Sequence, residues 1–547
     1  MLSKRAADKF LKLMDEAAEA SESAHERMRH ELSIYNNKNT YTDSTRIGGF
    51  SPIANQSLNP EVQKGIIRMV PAMRMQAQRI EILPDKTRHT AEDAENIEEI
   101  TQWTQMFQEV DNAGEALESA IYDNLVFGHA VQKVRWDPDY NVVRMTPISP
   151  LAISVDRDGN RADLSNAGFM VHETWQSERH IRRRYPDYKI PNDSNKVPDK
   201  HGQRQFRVRE LWMRRWVAEQ LGVNVNENPN GESISHIQIF YSTAIDDRVM
   251  RVRATPYWYP DFPFATWRNF PMIGASSQSR SFWGHGYATL CWSQQKFIDE
   301  VYSNIILLLR KLSIGRVMSR RGALDMEQVF TGYGVNIEIN DDAIVGNDIR
   351  NTVMPFPSDA VPNWLWLMFE QSIKGIQEMM PSLNPVFAGE APTKNASGRL
   401  ANTLQWATFN QISNNIAEMN EFRLLQMRQM ISLTQQFARM PTAAHIWRRG
   451  VDFPHQFRES SRFINYRLKM PDATSLPNTP AGKLEVAQVL ASMGAMMSID
   501  ELIKFVGFDQ GYGWDEDTFA QQPVMGPEGP GNPLNQNVAS GMDVGMV

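Results

Sequence analysis

Three helical stretches in the second half of this chain, two of them bracketing a short insert, restrict its fold more than any other feature. Phe297, Val301, Ile305, Leu308 and Leu312 recur at spacings of four, four, three and four, one apolar stripe along a helix that begins near Tyr287 and is closed by Gly315. A second helix opens at Pro362, carries Leu365, Met368, Ile376 and Met379, and ends at Pro381. The residues between, 316–358, read as a small α/β insert. It holds a basic strand Arg316–Arg321, a short helix Asp325–Phe330, a strand Val335–Ile339 and an acidic turn Asn340–Asp342. After a loop rich in Pro, Gly and Ser, Ser382–Ser397, the longest helical pattern runs from about Ser397 to Ala438, on the order of 60 Å at 1.5 Å per residue. The chain must therefore leave one body along a helix, fold a small insert, and return along another.

The first half has a different texture. Residues 3–35 have the spacing of a charged amphipathic helix, with Ala6, Phe10, Leu13, Met14 and Ala17 on one side. Asn59-Pro60-Glu61 opens a second helix, which Pro71 is expected to break or kink. Residues 91–127 read as helical throughout and stop at Gly128. Ala130–Trp136 and Asn141–Met145 then alternate as two strands of a hairpin about Asp137-Pro138, and Asp156–Gly159 marks a turn. Strand groups are expected at 204–219 and 234–254, and residues 256–271 hold too many prolines for a central strand, reading as an extended packing segment. Beyond Pro441 come a strand-like Phe463–Leu468, helices at Ala481–Met493 and Ser498–Val506, and an aperiodic tail, 520–547. The fold class is α+β, with helices dominating the second half.

Composition removes several function classes. One cysteine, Cys291, rules out an internal disulfide framework and a zinc ribbon and suits a reducing compartment. No run of about 18 apolar residues exists to span a membrane, and the first residues turn acidic before any apolar stretch, unlike a secretory signal. Net charge is −7, of which −6 lies in Phe505–Val547, a segment without Lys or Arg. The body is near neutral, which argues against a DNA binder held by a broad basic surface but does not exclude a protein that must let DNA slide. The 29 methionines and 14 tryptophans could serve extensive subunit interfaces as well as interior packing.

Motifs for chemistry are missing. Ala481-Gly482-Lys483-Leu484 lacks the first glycine and the hydroxyl of a phosphate loop, so the chain is not itself an ATP motor. His25 and His30 are five apart, about 140° around a helix, and cannot share one metal. Cys291 lies on an apolar stretch without a basic neighbour, a buried structural thiol. Gly284-His285-Gly286 reads as a hinge and cap. No cofactor, metal or catalytic residue is expected. The basic runs His180–Arg184 and Arg316, Arg320, Arg321 are solvated clusters by default, the second better placed for docking a partner because it tips the excursion.

This order of parts resembles the portal proteins, or head-to-tail connectors, of tailed double-stranded DNA bacteriophages. Asn124–Val134 followed by Val143–Pro150 and Val155-Asp156 is similar to that family's wing. Asn395-Ala-Ser-Gly398 is similar to the entry to its long helix, and Leu476-Pro477 with Gly494 to its C-terminal pattern. The resemblance covers roughly residues 60–510, and the short tail departs from it. It implies an N-terminal helix and arm (1–59), wing (60–286), stem helices (287–315 and 359–381), clip (316–358) and tunnel loop (382–397). A long wing/crown helix (398–440), a C-terminal wing and helical crown (441–519) and a tail (520–547) follow. It implies a ring, usually of twelve subunits, at one capsid vertex of the virion, assembled in the host cytoplasm, through which DNA is packaged and ejected. Implied partners are the terminase large subunit, neck/adaptor or tail proteins, scaffolding and major capsid proteins, and DNA without sequence specificity. The family layout puts Glu370, Lys374 and Glu378 of the second stem helix on the channel, with Asn384, Val386, Phe387, Glu390 and Lys394 of the tunnel loop. It makes Arg316, Arg320 and Arg321 the clip's docking residues. Two competing classes are a phage-associated, metal-dependent nucleic-acid enzyme and another ring-forming neck or collar protein.

Overall fold

The structure is a computed structural model that describes residues 4–37, 59–77, 80–85, 90–186, 188–190, 205–223, 238–246, 248–249, 252–273, 280–313, 317–319, 353–355, 363–383, 411–440 and 456–470. The chain divides into two units, Met1–Asp472 and Ala473–Val547, and every described residue belongs to the first. The expected elements 325–330, 335–339, 481–493, 498–506 and the tail lie outside the described residues.

Helix α1 (Lys4–Tyr35) follows its predicted stripe: Phe10, Met14 and Ala17 are buried, and the line continues through Ala24 and Met28. Helix α2 (Glu61–Met75) starts where Pro60 and Glu61 predict, but Pro71 does not end it. The N–H that Pro71 lacks would have served the Ile67 carbonyl, and both residues are exposed, so water can take its place. Residues 91–127 form two helices rather than one, α3 (Ala91–Val110) and α4 (Ala113–Phe127). Asn112 between them has φ 52°, a left-handed conformation that Asn tolerates. Asp111 turns its carboxylate onto the Met145 N–H at 2.5 Å and the Arg144 guanidinium at 3.2 Å. Gly128, at φ 72°, ends α4 as expected.

Strand β1 (Glu81–Pro84) pairs antiparallel with β15 (Tyr466–Lys469), which occupies the end of the segment expected as a strand. The predicted hairpin is β2 (His129–Asp137) with β3 (Val142–Ile148), and β10 (Phe264–Arg268) pairs with the other edge of β2. Residues 256–271 thus supply an edge strand, where only packing was expected. Pro256, Pro260, Pro263 and Pro271 all fall outside the paired five residues, so the missing N–H groups cost the ladder nothing. A larger antiparallel sheet runs β4 (Ile153–Val155), β5 (Phe169–Ser177), β6 (Gln205–Arg214), β7 (Ile239–Ile245) and β8 (Arg248–Val249), with β9 (Arg253–Ala254) also on β7. Short helices α5 (Glu178–Arg184) and α6 (Arg215–Gln220) follow β5 and β6. Helix α1 covers this sheet by packing Phe10, Met14 and Ala17 with Phe169, Leu211 and Met213. β11 (Pro271–Ile273) and β12 (Arg280–Gly284) make a small hairpin before the helical half.

There, α7 (Tyr287–Leu290) and α8 (Trp292–Ser313) lead out, β13 (Val317–Ser319) pairs with β14 (Val353–Pro355), and α9 (Asn363–Met379) leads back to a 3-10 turn, Pro381–Leu383. The long helix α10 (Ser413–Phe437) begins after a turn at Gln411-Ile412, and the part of the expected helix from 397 to 410 lies outside the described residues. The cap position is Ile412, which makes no side-chain cap bond to the helix start. α10 lies on the three-stranded sheet through Phe422 against Trp267 and Phe437 stacked on Trp136. Gln429 donates to the Phe262 carbonyl at 3.0 Å.

The two sheets are joined by a buried charge cluster. Lys133 of β2 meets Glu210 of β6 at 2.5 Å, and the ammonium sits 5.1 Å from the Trp212 ring and 5.4 Å from the Phe264 ring. Arg184 of α5 and His172 of β5 approach the same carboxylate at 3.5 and 3.7 Å. Burial alone would raise the Glu210 carboxyl, but Lys133 and His172 hold it well below the usual carboxylate range. Glu210→Gln would leave a buried ammonium without its counter-charge. It is expected to cost ~3–5 kcal/mol at neutral pH by urea titration, and Lys133→Met with Glu210→Leu should cost less than the single change. A Glu210→Gln protein within about 1 kcal/mol of the parent would contradict this.

Candidate functional site

The excursion of α8 and α9 is the part of the fold least explained by burying a core. α9 packs one side against α8 and the body: Ile376 and Met380 are buried, Phe369 lies 5.7 Å from Tyr302, and Leu365 and Ile373 are half-buried. The predicted core positions Met368 and Met379 are exposed instead, because the contact surface is centred on Phe369, Ile373 and Ile376. On α8 the buried line is Ile298, Val301 and Ile305, with Phe297 only half-buried, and Gln295, Asp299 and Ser303 share that side.

The other side of α9 faces solvent. Its first turns expose Trp364 at 59%, Leu367 at 57% and Trp366 at 46%, an apolar patch on a helix end. Its later turns expose Glu370, Lys374 and Glu378, one helical turn apart, so an acid–base–acid line continues from the aromatic end. The structure therefore brings these three sequence-predicted residues together on one solvent-facing helix. Asn384, Val386, Phe387, Glu390, Lys394, Arg316, Arg320 and Arg321 lie outside the described residues.

The base of the excursion is fixed by close backbone contacts. A Cβ on Gly286 would stand 2.0 Å from the Val126 carbonyl oxygen, and one on Gly284 2.0 Å from the Asn269 carbonyl oxygen. These glycines, expected as a hinge, allow two backbones to touch. Met380 and Leu383 press on Gly65 of α2, and the Ser382 hydroxyl donates to the Gly65 carbonyl at 2.7 Å. The Gln295 amide donates to the Asn59 carbonyl at 3.0 Å. Helix α1 clamps the same place. Arg27 donates to the Gly284 carbonyl at 2.7 Å, and Glu31 accepts from the Thr289 hydroxyl and the Gly286 N–H at the start of α7.

Sequence reading missed Arg27 and Glu31. Their i, i+4 spacing is also that of a solvated helix pair, and only the packed neighbours show that Glu31 is buried. The two histidines of α1 do not converge. His25 bonds the Ile153 carbonyl at 2.8 Å, while His30 packs on Trp292. Cys291 is fully buried, and burial pushes its thiol up to about 12. The run His180–Arg184 lies on α5 with Arg179, Arg182 and Arg183 exposed. Among the described residues no cluster of three His, Cys, Asp or Glu could hold a metal, and no helix is long and apolar enough to cross a membrane.

The family model described as phage P22-like portal protein matches residues 11–446. Among solved structures, a chain of the virion of a native gene transfer agent (GTA) particle is similar over 82% of this chain and 89% of that one. Its sequence identity is 9% and its TM-score 0.37, a likeness too slight to argue from. No curated protein matches.

The clamp has a pH dependence. Burial pushes the Glu31 carboxyl up to about 7 from 4.5, although Thr289 and Arg27 pull it down. The folded state keeps this proton where the unfolded chain has lost it. The associated stability is complete below 4.5 and fades as pH rises to about 7. Glu31→Gln should flatten that fall, on the order of 3 kcal/mol, in urea titrations between those limits. An equally steep fall in the variant would contradict the assignment.

Proposed function

The chain belongs to the phage P22-like portal protein family, and from that premise we propose that it forms a twelve-subunit ring whose α9 face lines the path of double-stranded DNA. As a phage portal protein it is a structural component of the virion, and its part in DNA packaging follows from the family. The observation that carries the reading is the family match over residues 11–446, which spans the wing-like body and the whole helical excursion.

Within this proposal, α8 and α9 are the two stem helices and residues 316–358 the clip. Residues 60–286 are the wing and 382–397 the tunnel loop; the long helix and C-terminal wing and crown follow. Glu370, Lys374 and Glu378 face the channel. Their near balance of charge suits a surface that DNA must pass: a basic wall would release counterions from the duplex and hold it, whereas this one offers no net grip. Trp364, Trp366 and Leu367 are the positions where a neighbouring stem would cover apolar surface that the protomer leaves exposed. Arg316, Arg320 and Arg321 at the tip of the excursion dock the terminase large subunit and later the neck or tail proteins. Scaffolding and major capsid proteins meet the ring from the capsid side. No sequence-specific contact with DNA is called for, and no cofactor.

The loop residues Asn384, Val386, Phe387, Glu390 and Lys394 make weak, sequence-blind contacts with the duplex. Deleting Val386–Pro392 and joining the ends with Gly-Ser should leave rings and procapsids intact while packaging or DNA retention fails. Packaging and retention of full-length genomes at parental yield would show that the loop is only a connector.

A further inference from the structure

A closed ring of identical chains cannot be built on a self-complementary patch. Each subunit must offer one surface to the neighbour on one side and a different, complementary one to the neighbour on the other. Two solvent faces on separate elements have that relation in charge. On α5, Arg179, Arg182 and Arg183 fall at i, i+3 and i+4, and the guanidinium of Arg183 is 82% exposed. Trp175, at the end of the preceding strand, is 61% exposed beside them in sequence. Only Ile181 of this helix is buried, so α5 spends one residue on the core and presents the rest. Arg182 is held by Glu178 on its own helix, and Arg183 reaches Asp139 at 3.5 Å through solvent. Such exposed pairs are weak and leave both arginines available to a partner.

Helix α3 is the opposite case. Its twenty residues contain no Lys or Arg, and Glu92, Glu95 and Glu98 lie exposed along its outer side. Its other side packs Ile97, Ile100, Trp103 and Phe107 into the core. Arg458, from elsewhere in the chain, meets this stretch at Glu95 at 2.9 Å. The two faces are built on different parts of the core, α3 with β1 and α10, α5 with β5 and β6.

We propose that the α5 arginine face of one copy docks on the acidic α3 face of the next copy around the ring. The proposal rests on the ring reading above and adds to it the surfaces that meet. The match is one of sign and of size, since each face presents three like charges along a helix. Complementary fields of this kind set register and speed encounter, and like charges brought together oppose assembly.

The test is a charge exchange in the full chain, read by native mass spectrometry or mass photometry at ~0.1 M salt, where charges act over ~10 Å. Arg179, Arg182 and Arg183 are all changed to Glu in one variant, and Glu92, Glu95 and Glu98 all to Lys in a second. Circular dichroism confirms that each remains folded, as exposed positions should allow. Each variant alone should lose the ring population at least about tenfold, and combining all six changes should restore it. An equimolar mixture of the two variants should also give closed rings, because in an alternating ring every contact then sets opposite charges together. Folded single variants that form rings at parental yield would overturn this pairing while leaving the ring reading standing. So would a six-fold variant, or an equimolar mixture of the two single variants, that stays dissociated. A parental chain that forms no ring overturns the ring reading, and this pairing with it.

Discussion

One buried carboxylate, Glu210, holds the two larger sheets of this protein to each other. It sits on β6 with Lys133 of β2 in direct contact and His172 and Arg184 close by. Trp212 and Phe264 close over the ammonium from either sheet. A buried ion pair of this kind adds little net stability compared with apolar packing, but it tolerates only one relative placement of its partners. Here that placement sets β2 against β6. The hairpin β2–β3 then receives α10 on its sheet, and β10, at the edge of β2, leads through β11 and β12 to the helical excursion.

The excursion inherits its position from the same place. Gly128 at the start of β2 touches His285, and Gly284 and Gly286 pass so near the backbone that no side chain would fit. Arg27 and Glu31 of α1 close over this crossing, while residues earlier in α1 cover the larger sheet. The first helix of the chain is thus a strap over the base of α7 and α8. Among its described residues α9 buries only Ile376, so these contacts at the base hold the helix pair to the body.

Much of this was legible in the sequence where one local signal decided the outcome. Glu61, Gly128 and the alternation of 130–136 marked element ends and types correctly, and the helix–insert–helix order pointed to the portal family before any coordinates. What local pattern could not show was anything settled across long separations. Asp111 breaks the helix because Met145 and Arg144, on another element, take up its carboxylate. Phe264–Arg268 becomes a strand because β2 offers it an edge. Arg27 and Glu31, and likewise Lys133 and Glu210, read as ordinary surface charges until the elements around them are packed. Of the candidate site, Glu370, Lys374 and Glu378 were named from the family layout, and their four-residue spacing puts them on one helix face. The aromatic end beside them was not legible, because periodicity placed Met368 in the core and the true contact is turned toward Phe369.

The central claim is that this chain assembles as a ring with the outer face of α9 turned to a central channel. A cryo-EM reconstruction of the purified, assembled chain tests it most directly. The account predicts a closed ring near twelve-fold symmetry in which Glu370, Lys374 and Glu378 line the channel and Trp364, Trp366 and Leu367 are covered by the neighbouring stem. A ring in which the Glu370–Lys374–Glu378 line faces away from the axis, or a chain that forms no ring, would contradict it.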